Sequence, residues 1–450
     1  MTKGFMFDIS PTSRSQIQIE LQQTIHDGRI DTSDPDVTAV IYAQSTADVQ
    51  AVLAIARRYR LPVVPQGAAT SLSGSSTPLP NALVLSFKEM NAILAINPAD
   101  QIAVVQPGVI NGDLDKAARA VGYFYAPDPG SKLLSSIGGN VATNAGGMAS
   151  LKYGTTKQAV LGLTVVLADG RVLKNGGHTL KNAATYQLTD LFIGSEGTLG
   201  IIVEITVRLL PIPLAQPLTG VAAFQTLAQL GKAVQALQAS GVYPSMLEAM
   251  NAQSITALSA YGHHDFDGAQ AALIFQLDTP TDAALTTVQQ VLAEHQAENV
   301  VITDDEQRTA ELIKIRQDMY AADVAYGNII VEDIAVPLSQ LATYLTFVDE
   351  LSQTYNQPIF IVGHAGDGNI HPDLVYDKDL SEPTDNMIVV VQKLFAKALE
   401  LGGTISAEHG IGEFKKSWVV EQLDPVADAV QHQLKATFDP YNILNPGRKL

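Results

Sequence analysis

The sequence predicts an α+β protein built from two successive domains. Strand-like segments rich in β-branched residues dominate the first half, whereas segments with helical periodicity lengthen in the second half. Between the halves, the stretch PIPLAQP at 211–217 carries three prolines, which cannot continue a sheet. We therefore expect a domain boundary near residue 212.

The first half is predicted to begin with a strand, a helix and a second strand. TAVIY is β-rich, ADVQAVLAIARRYR has helical periodicity with Ser45 or Thr46 as its cap, and LPVVPQG leads into a loop. A hairpin turn is expected at Asp169–Gly170. Further strands are predicted at ALVLSF (82–87), IAVVQPGV (102–109), LTVVLADGRVL (163–173) and GIIVEITVRLL (200–210).

The second half is predicted to consist of longer helices separated by short strands. The last of these helices should end at Gly402–Gly403, because glycine is the common residue just beyond a helix C-terminus. The helices are expected near 223–240, 281–297, 306–325, 337–355 and 386–401.

The composition excludes several classes of function. The formal net charge of −18 argues against nucleic acid as the main partner, and the absence of cysteine excludes disulfides, thiolate catalysis and Cys-ligated iron–sulfur clusters in this chain. No apolar run approaches the roughly 18 residues of a transmembrane helix. The first residues, MTKGFMFDIS, lack the pattern of a secretion signal. We expect a cytoplasmic protein, with peripheral attachment to a membrane as the alternative.

Three loops of the first half are dense in Gly, Ala, Ser and Thr. Loops without bulky side chains let backbone N–H groups converge on an anion, so that three of them in one domain favour a diphosphate ligand over ordinary turns. Neither a P-loop nor the Gly-x-Gly-x-x-Gly dinucleotide motif is present. The loops are PQGAATSLSG (65–74), PDPGSKLLSSIGGNVATNAGG (127–147) and GSEGTLG (194–200).

The stretch GHAGDGNIH places two histidines about a tight turn. If Asp367 and Gly368 form a two-residue hairpin turn, His364 pairs with His371, and both rings lie on one face with Cβ atoms about 5 Å apart. A slip of one residue would send one ring to the other face. With Glu408 downstream, two imidazoles, a carboxylate and an open position suit Zn²⁺, Fe²⁺ or Mn²⁺. The alternative is a pair of hydrogen-bonded structural histidines.

The three loops resemble the FAD-binding domain of the vanillyl-alcohol oxidase (PCMH-type) flavoprotein superfamily. GHAGDGNIH, SAEHGIG and FDPYNILNPGR resemble its glycolate oxidase, D-lactate dehydrogenase and D-2-hydroxyglutarate dehydrogenase branch. The resemblance implies a PCMH-type FAD-binding domain of two subdomains over 1–212. It further implies a ferredoxin-like α+β substrate (cap) domain over 213–404 and a C-terminal segment, 405–450, that returns to the FAD domain.

The resemblance also implies noncovalent FAD, because no histidine lies between residues 27 and 177 to tether the flavin. The first loop departs from the common Arg-Gly-x-Gly-Thr pattern, since Gln66 and Ala69 stand where the cation and the second glycine are usual. The residues implied to contact FAD are Gln66, Gly67, Ala68, Ala69, Thr70, Ser71, Gly74, Pro127, Asp128, Ser131, Gly138, Gly139, Asn140, Ala142, Thr143, Asn144, Gly147, Gly154, Glu196, Gly197, Gly200, Ile201, Ile202 and Asn445.

For the reacting centre, the resemblance implies that His409 is the catalytic base and that Arg316 binds a substrate carboxylate. Asn369 would hydrogen-bond the substrate or a metal-bound water. The alternatives are a third metal ligand or structural residue for His409, a surface helix charge for Arg316, and a turn residue for Asn369. Asp333 is expected to be structural. The implied metal ligands are His364, His371 and Glu408.

The implied activity is the flavin-dependent oxidation of a D-2-hydroxy acid, of the D-lactate, glycolate or D-2-hydroxyglutarate class, to the 2-oxo acid. Because the chain has no cysteine, the electrons need an external acceptor: a quinone, an electron-transfer flavoprotein, a separate iron–sulfur subunit or oxygen. The sequence does not set the oligomeric state, and a homodimer is one alternative. Two other functions stay open: a flavin-free metal hydrolase, and a non-catalytic FAD electron-transfer component.

Overall fold

A computed structural model describes residues 9–26, 28–380 and 382–450. The segment 1–8, on which the expectation of no secretion signal rests, lies outside the described residues. The chain forms two compact units. The first contains the chain up to Gly146, Gly154–Ile212 and Glu408–Leu450, and the second contains Gly147–Tyr153 and Pro213–Ala407. The membership of 147–153 in the second unit was not anticipated from the sequence.

The first unit contains two main sheets. One is a four-stranded sheet of order β1-β2-β4-β3, in which β2, β4 and β3 run parallel. The other is an antiparallel sheet of order β5-β6-β10-β8-β9, and β7 pairs separately with β11. The strands are β1 (Ile30–Asp31), β2 (Ala39–Tyr42), β3 (Val63–Gln66), β4 (Leu83–Ser86), β5 (Ile93–Asn97), β6 (Ile102–Val105), β7 (Tyr123–Phe124), β8 (Val160–Val166), β9 (Val172–Gly176), β10 (Ile201–Arg208) and β11 (Leu210–Pro211).

Each main sheet of the first unit has its own hydrophobic core, one around Ile41 and Leu53 and the other around Ile137 and Ile205. The helix predicted after the first strand begins where expected, because Ser45 forms a capping box with Asp48. With helices numbered along the whole chain, this unit contains α1 (Pro11–Thr24), α2 (Thr46–Tyr59), α3 (Asn111–Arg119), α4 (Ile137–Thr143), α6 (Thr156–Ala159), α7 (Thr189–Phe192), α15 (Lys416–Gln422) and α16 (Pro425–Phe438).

The second unit is built on one antiparallel sheet of order β15-β12-β14-β13-β18-β19-β16, with β17 also paired to β19. Its strands are β12 (Leu218–Phe224), β13 (Met246–Asn251), β14 (Ala271–Leu277), β15 (Glu298–Thr303), β16 (Asn328–Val331), β17 (Ile334–Ala335), β18 (Ile359–His364) and β19 (Asn369–Tyr376). Its helices are α5 (Ser150–Tyr153), α8 (Leu227–Ala239), α9 (Ala252–Tyr261), α10 (Asp282–Glu294), α11 (Glu306–Gln317), α12 (Met319–Tyr326), α13 (Leu341–Tyr355) and α14 (Asp385–Glu400).

The sheet of the second unit contains the ferredoxin-like connectivity twice. The run β12-α8-β13, β14-α10-β15 has the strand order β15-β12-β14-β13, which is the βαββαβ arrangement. The connectivity recurs in β16-α13-β18 and β19-α14, and a single bridge from Ala335 to Thr404 stands at the fourth strand position. The repeats join where β13 pairs with β18, and helices α8 and α13 pack closely because Gly231 carries no Cβ against Ala342. The ferredoxin-like expectation is confirmed.

The helix predicted over 306–325 is divided in two. Asp318 ends α11 and begins α12, and its carboxylate accepts hydrogen bonds from Lys314 and from His263. Helix α9 was not predicted, and it begins because the Asn251 side chain accepts the N–H of Ser254. Over the described ranges, the structure contains no helix with both the length and the apolar character needed to cross a bilayer.

Candidate flavin and substrate sites

The two histidines of GHAGDGNIH lie on one face of a hairpin, but the turn is longer than predicted. A four-residue loop, 365–368, joins β18 to β19, and the register pairs His364 with Asn369 and His371 with Val362. The predicted two-residue turn is therefore wrong. The pairing differs from the predicted one by two residues, and because side chains alternate with a period of two, both rings still share a face. Their centroids lie 5.4 Å apart.

Both histidines use Nδ1 within the second unit. Nδ1 of His364 lies 2.8 Å and 3.0 Å from the two carboxylate oxygens of Glu248, and Nδ1 of His371 lies 3.2 Å from the carbonyl oxygen of Glu332. Because these oxygens only accept, each Nδ1 carries the proton. That tautomer leaves Nε2 as the nitrogen that can bind a metal. The donor chemistry of the pair therefore fits a divalent cation.

Glu248 also binds Arg316, and the sequence analysis missed it. The Arg316 Nε donates to Glu248 Oε2 at 2.5 Å, and the Glu248 side chain has no exposed surface. Burial alone would raise the pKa of Glu248, but its electrostatic interactions and hydrogen bonds with His364 and Arg316 outweigh burial and hold that pKa below its usual value. Arg316 is therefore a largely buried, fixed group, and the alternative of a surface helix charge is wrong.

A pair of buried carboxyl groups, Asp323 on α12 and Asp373 on β19, lies close to Arg316. Burial raises the pKa of Asp323 to about 7 and, together with the charge of Asp323, raises the pKa of Asp373 well above its usual value. No donor from another residue in the described part of the chain reaches either Asp323 oxygen. Because burial and mutual repulsion disfavour ionisation of both carboxyl groups together, we interpret the pair as sharing a proton near neutral pH.

Asp333 and Asn369 lie near the histidine hairpin. Asp333 Oδ1 is 3.9 Å from His371 Nδ1, and its Oδ2 accepts hydrogen bonds from Ser406 Oγ at 3.0 Å and from the Ala407 N–H at 2.8 Å. Asp333 thus fixes Ser406 and Ala407, the last residues of the second unit, which directly precede Glu408 in the sequence. Asn369 is buried, and within the described residues its Oδ1 has no hydrogen-bond partner.

Glu408 and His409 open the C-terminal part of the first unit. The Glu408 Oε1 and His409 Nε2 atoms lie 3.7 Å apart, a spacing that suits donors around a cation as well as a proton-relay pair. Glu196 holds the turn that follows, because its carboxylate accepts the backbone N–H groups of Ile411 at 2.9 Å and Gly412 at 2.7 Å. The carboxylate of Glu196 thus anchors this turn, and the predicted contact of Glu196 with FAD stays a prediction.

The three glycine-rich loops converge within the first unit. A Cβ on Gly67 would lie 2.0 Å from Ser136 Oγ, so the first loop passes directly over the start of α4. The third loop joins the end of α4 through the Glu196 N–H, which donates to the Ala142 carbonyl at 2.7 Å. Asn445 binds both neighbouring loops, donating to the carbonyls of Ser75 and Glu196 at 2.8 Å each. Of the residues implied to contact FAD, Gly147 alone belongs to the second unit.

This convergence fits a polar ligand such as FAD. Buried side-chain atoms of Asn111, Ser135 and Asn445 around the loops have no hydrogen-bond partner within the described residues, which leaves acceptors and a donor for a ligand.

The two unusual residues of the first loop, Gln66 and Ala69, each affect its local structure. Gln66 closes the loop by donating to the Ser76 carbonyl at 2.7 Å, and Ala69 adopts a left-handed φ of 57° where the common pattern has glycine.

Comparison with known proteins decides the family. The family of FAD linked oxidases, C-terminal domain, matches residues 216–448, and the FAD binding domain family matches residues 37–176. The chain belongs to the FAD-linked oxidases. Glycolate oxidase subunit GlcD of Bacillus subtilis is 36% identical to this FAD-linked oxidase over 421 residues, which cover 92% of this chain and 89% of that protein.

A second relative, D-lactate dehydrogenase of Anaerostipes hadrus, is 33% identical over 432 residues, covering 91% of this chain and 88% of that protein. Among solved structures, p-cresol methylhydroxylase with substrate bound has a TM-score of 0.79 at 17% identity, covering 98% of this chain and 97% of that chain. At this low identity, the similarity to p-cresol methylhydroxylase shows the fold alone. The predicted PCMH-type fold and the predicted flavoprotein oxidoreductase family are confirmed.

Proposed function

We propose that this FAD-linked oxidase converts a D-2-hydroxy acid, of the D-lactate, glycolate or D-2-hydroxyglutarate class, into the 2-oxo acid. The relatives named as glycolate oxidase subunit and D-lactate dehydrogenase support this substrate class. Membership in the family argues against the flavin-free hydrolase, which would leave the convergent loops without a role.

One observation carries the proposal: Glu248 contacts both His364 and Arg316. A 2-hydroxy acid presents a hydroxyl and a carboxylate on adjacent carbons, so its binding site needs a cation-binding group and a carboxylate-binding group side by side. His364 supplies the first kind of group and the guanidinium of Arg316 the second. Holding the reacting carbon in register supplies about 7–11 kcal/mol of the barrier reduction in well-oriented reactions.

The remaining roles follow from the chemistry of each side chain. His364, His371 and Glu408 would hold Zn²⁺, Mn²⁺ or Fe²⁺, and the continuity of Ala407 with Glu408 supports this set, because Asp333 fixes the Ala407 N–H in the second unit. His409 would take the hydroxyl proton, and the unpartnered Oδ1 of Asn369 would accept a hydrogen bond from the substrate or a bound water.

FAD, when bound, would supply the hydride acceptor for oxidation at the substrate Cα, and a divalent cation held by the ligand set above would supply a Lewis acid for the hydroxyl. The loops around Gly67, Gly138 and Glu196 would hold FAD noncovalently. Electrons would then leave to an external acceptor such as a quinone, an electron-transfer flavoprotein, an iron–sulfur subunit or oxygen.

Anaerobic flavin reduction tests the proposal directly. The purified protein is mixed with glycolate, D-lactate, L-lactate and D-2-hydroxyglutarate, and the visible absorbance of oxidised flavin is followed. We expect bleaching by at least one of the achiral or D-configured acids and none by L-lactate. If no acid reduces the flavin, the alternative of a non-catalytic electron-transfer component stands. Acid precipitation of the same sample should release the flavin into the supernatant.

A further inference from the structure

Glu248 is a buried carboxylate for which the proposed function has no chemical step. We propose that Glu248 is a positioning residue, which fixes the His364 ring and the Arg316 guanidinium relative to each other. The inference rests on the proposed function, because it concerns the residues assigned there to the metal and to the substrate carboxylate. One anion would thereby set the spacing between the two groups that a hydroxy acid must contact together.

The sheet fixes where the Glu248 carboxylate lies. Strands β13 and β18 pair antiparallel with Glu248 directly opposite His364, followed by Ala249 opposite Gly363 and Met250 opposite Val362. Directly opposed residues present their side chains on the same face. A slip of one residue would turn every side chain of the strand to the other face, so the observed register is what keeps the Glu248 carboxylate beside His364.

The hydrogen bonds of Glu248 define the orientation of both partners. Its two oxygens lie 2.8 Å and 3.0 Å from His364 Nδ1, which turns Nε2 of that ring away from Glu248. Its Oε2 accepts from Arg316 at Nε, the atom nearest the side-chain stem. Within the described residues, Nη1 and Nη2 of Arg316 make no hydrogen bond to the protein, which leaves the forked end of the guanidinium for a carboxylate.

Burial makes this arrangement rigid. The exposed fraction of the side chain is 0% for Glu248, 7% for His364 and 14% for Arg316. Water therefore does not replace Glu248 as a partner for either group. In a variant without the carboxylate, the ring and the guanidinium would each lose a fixed charge-assisted acceptor, and each would reorient independently.

The same contacts are also those of a structural ion pair that fastens α11 to the sheet. The two roles differ in what a substitution changes. A structural ion pair affects only stability, whereas a positioning carboxylate affects metal affinity and substrate KM as well. Carboxylates that orient a ligating histidine contribute about 10–100-fold to metal affinity or activity.

The test uses the FAD-loaded full chain with Glu248→Gln, which preserves size but removes the charge and one acceptor. The dissociation constants for Mn²⁺ and Zn²⁺ are measured by chelator competition without substrate, and KM and kcat are measured at saturating metal. We expect metal binding about 10–100-fold weaker and a raised KM with a smaller change in kcat. Glu248→Asp, which keeps the charge but withdraws it by one methylene, should recover stability without recovering metal affinity.

Ser254→Ala is the matched control. Ser254 is buried and ties α9 to β18, because its hydroxyl donates to the Ile361 carbonyl at 2.8 Å rather than to His364 or Arg316. The control should lower the Tm and leave metal affinity and KM unchanged. Unchanged metal affinity and KM in Glu248→Gln, with a lowered Tm, would overturn the proposal and leave the proposed function intact. A wild-type chain that binds neither metal would refute the proposed metal site and this proposal together.

Discussion

The three glycine-rich loops of the first unit and the histidine site of the second unit are built from opposite kinds of residues. In the loops, close approach depends on missing side chains: a Cβ on Gly138 would lie 2.5 Å from the Pro107 ring and 2.8 Å from its carbonyl oxygen. In the histidine site, the buried Glu248 carboxylate binds both the buried His364 and the largely buried Arg316. The first region is therefore sensitive to added atoms, and the second to lost charges.

The largest effect is expected at His409. This residue belongs to the same unit as the glycine-rich loops, but its proposed role depends on its side chain. In His409→Asn the amide keeps the approximate shape but takes up no proton at neutral pH. The rate of flavin reduction should fall about 10²–10⁴-fold, which corresponds to about 3–5 kcal/mol of barrier. Stopped-flow reduction measures the rate, and FAD and metal contents should remain those of the wild type.

Glu408→Gln provides the comparison for His409→Asn. If Glu408 is a metal ligand, this variant should bind metal more weakly, and excess Mn²⁺ or Zn²⁺ should partly restore its rate. Rescue of His409→Asn by metal, without rescue of Glu408→Gln, would show that the two assigned roles are reversed.

The carboxyl pair of the second unit predicts a pH dependence of stability. The pKa of Asp323 is about 7 when folded against an ordinary value of 3.8, so folding binds a proton between these pH values. The stabilisation is complete below pH about 4 and is lost as the pH rises through about 7, on the order of 4 kcal/mol in total. In Asp323→Asn the side chain at this position no longer titrates, so this loss of stability is absent. The Tm difference between variant and wild type should therefore grow from pH 5 to pH 8.

Asp379→Asn is the control for this pH series, since Asp379 is exposed and lies in the same unit. Its Tm difference from the wild type should stay constant with pH. A constant difference in Asp323→Asn as well would mean that the pair shares no proton.

A smaller effect is expected from adding one methyl group to the glycine-rich loops proposed to hold FAD. Gly138→Ala places a Cβ against Pro107, where neither the ring nor the carbonyl can move away freely, and overpacking of this kind costs about 1–3 kcal/mol. The FAD-to-protein ratio after gel filtration should fall. Gly177→Ala is the matched control, because a Cβ there meets nothing within 4 Å, and its ratio should match the wild type. Equal FAD retention in both variants would contradict the idea that FAD binding depends on the close contact between Gly138 and Pro107.

The smallest effect concerns Ala69, which has a φ of 57°. A left-handed conformation costs an L-residue about 1–2 kcal/mol, which glycine at this position would avoid. Part of this stabilisation is offset because glycine makes the unfolded chain more flexible. Ala69→Gly should raise the Tm slightly. The neighbouring Ala68→Gly, at a position without positive φ, should lower the Tm instead. The same sign for both variants would contradict a strained Ala69.

The glycine-rich loops could be recognised in the sequence because their signal is local: clusters of glycine and small polar residues that follow strands. The same holds for the helix capped by Ser45. The partner of His364 could not be predicted, because Glu248 lies 116 residues away along the chain and only the pairing of two distant strands brings them together. The shared face of His364 and His371 was predicted despite the wrong turn length, because an error of two residues preserves the alternation of a strand.

Analysis of FAD and metal in the same samples of His364→Ala and His371→Ala tests most directly whether the two regions hold their ligands independently. The account predicts a wild-type ratio of FAD to protein, because the loops belong to the first unit, together with lost divalent metal and no flavin reduction by hydroxy acids. Full metal occupancy in both variants would leave the histidine pair a structural role only. Loss of FAD along with the metal would contradict the independence of the two regions.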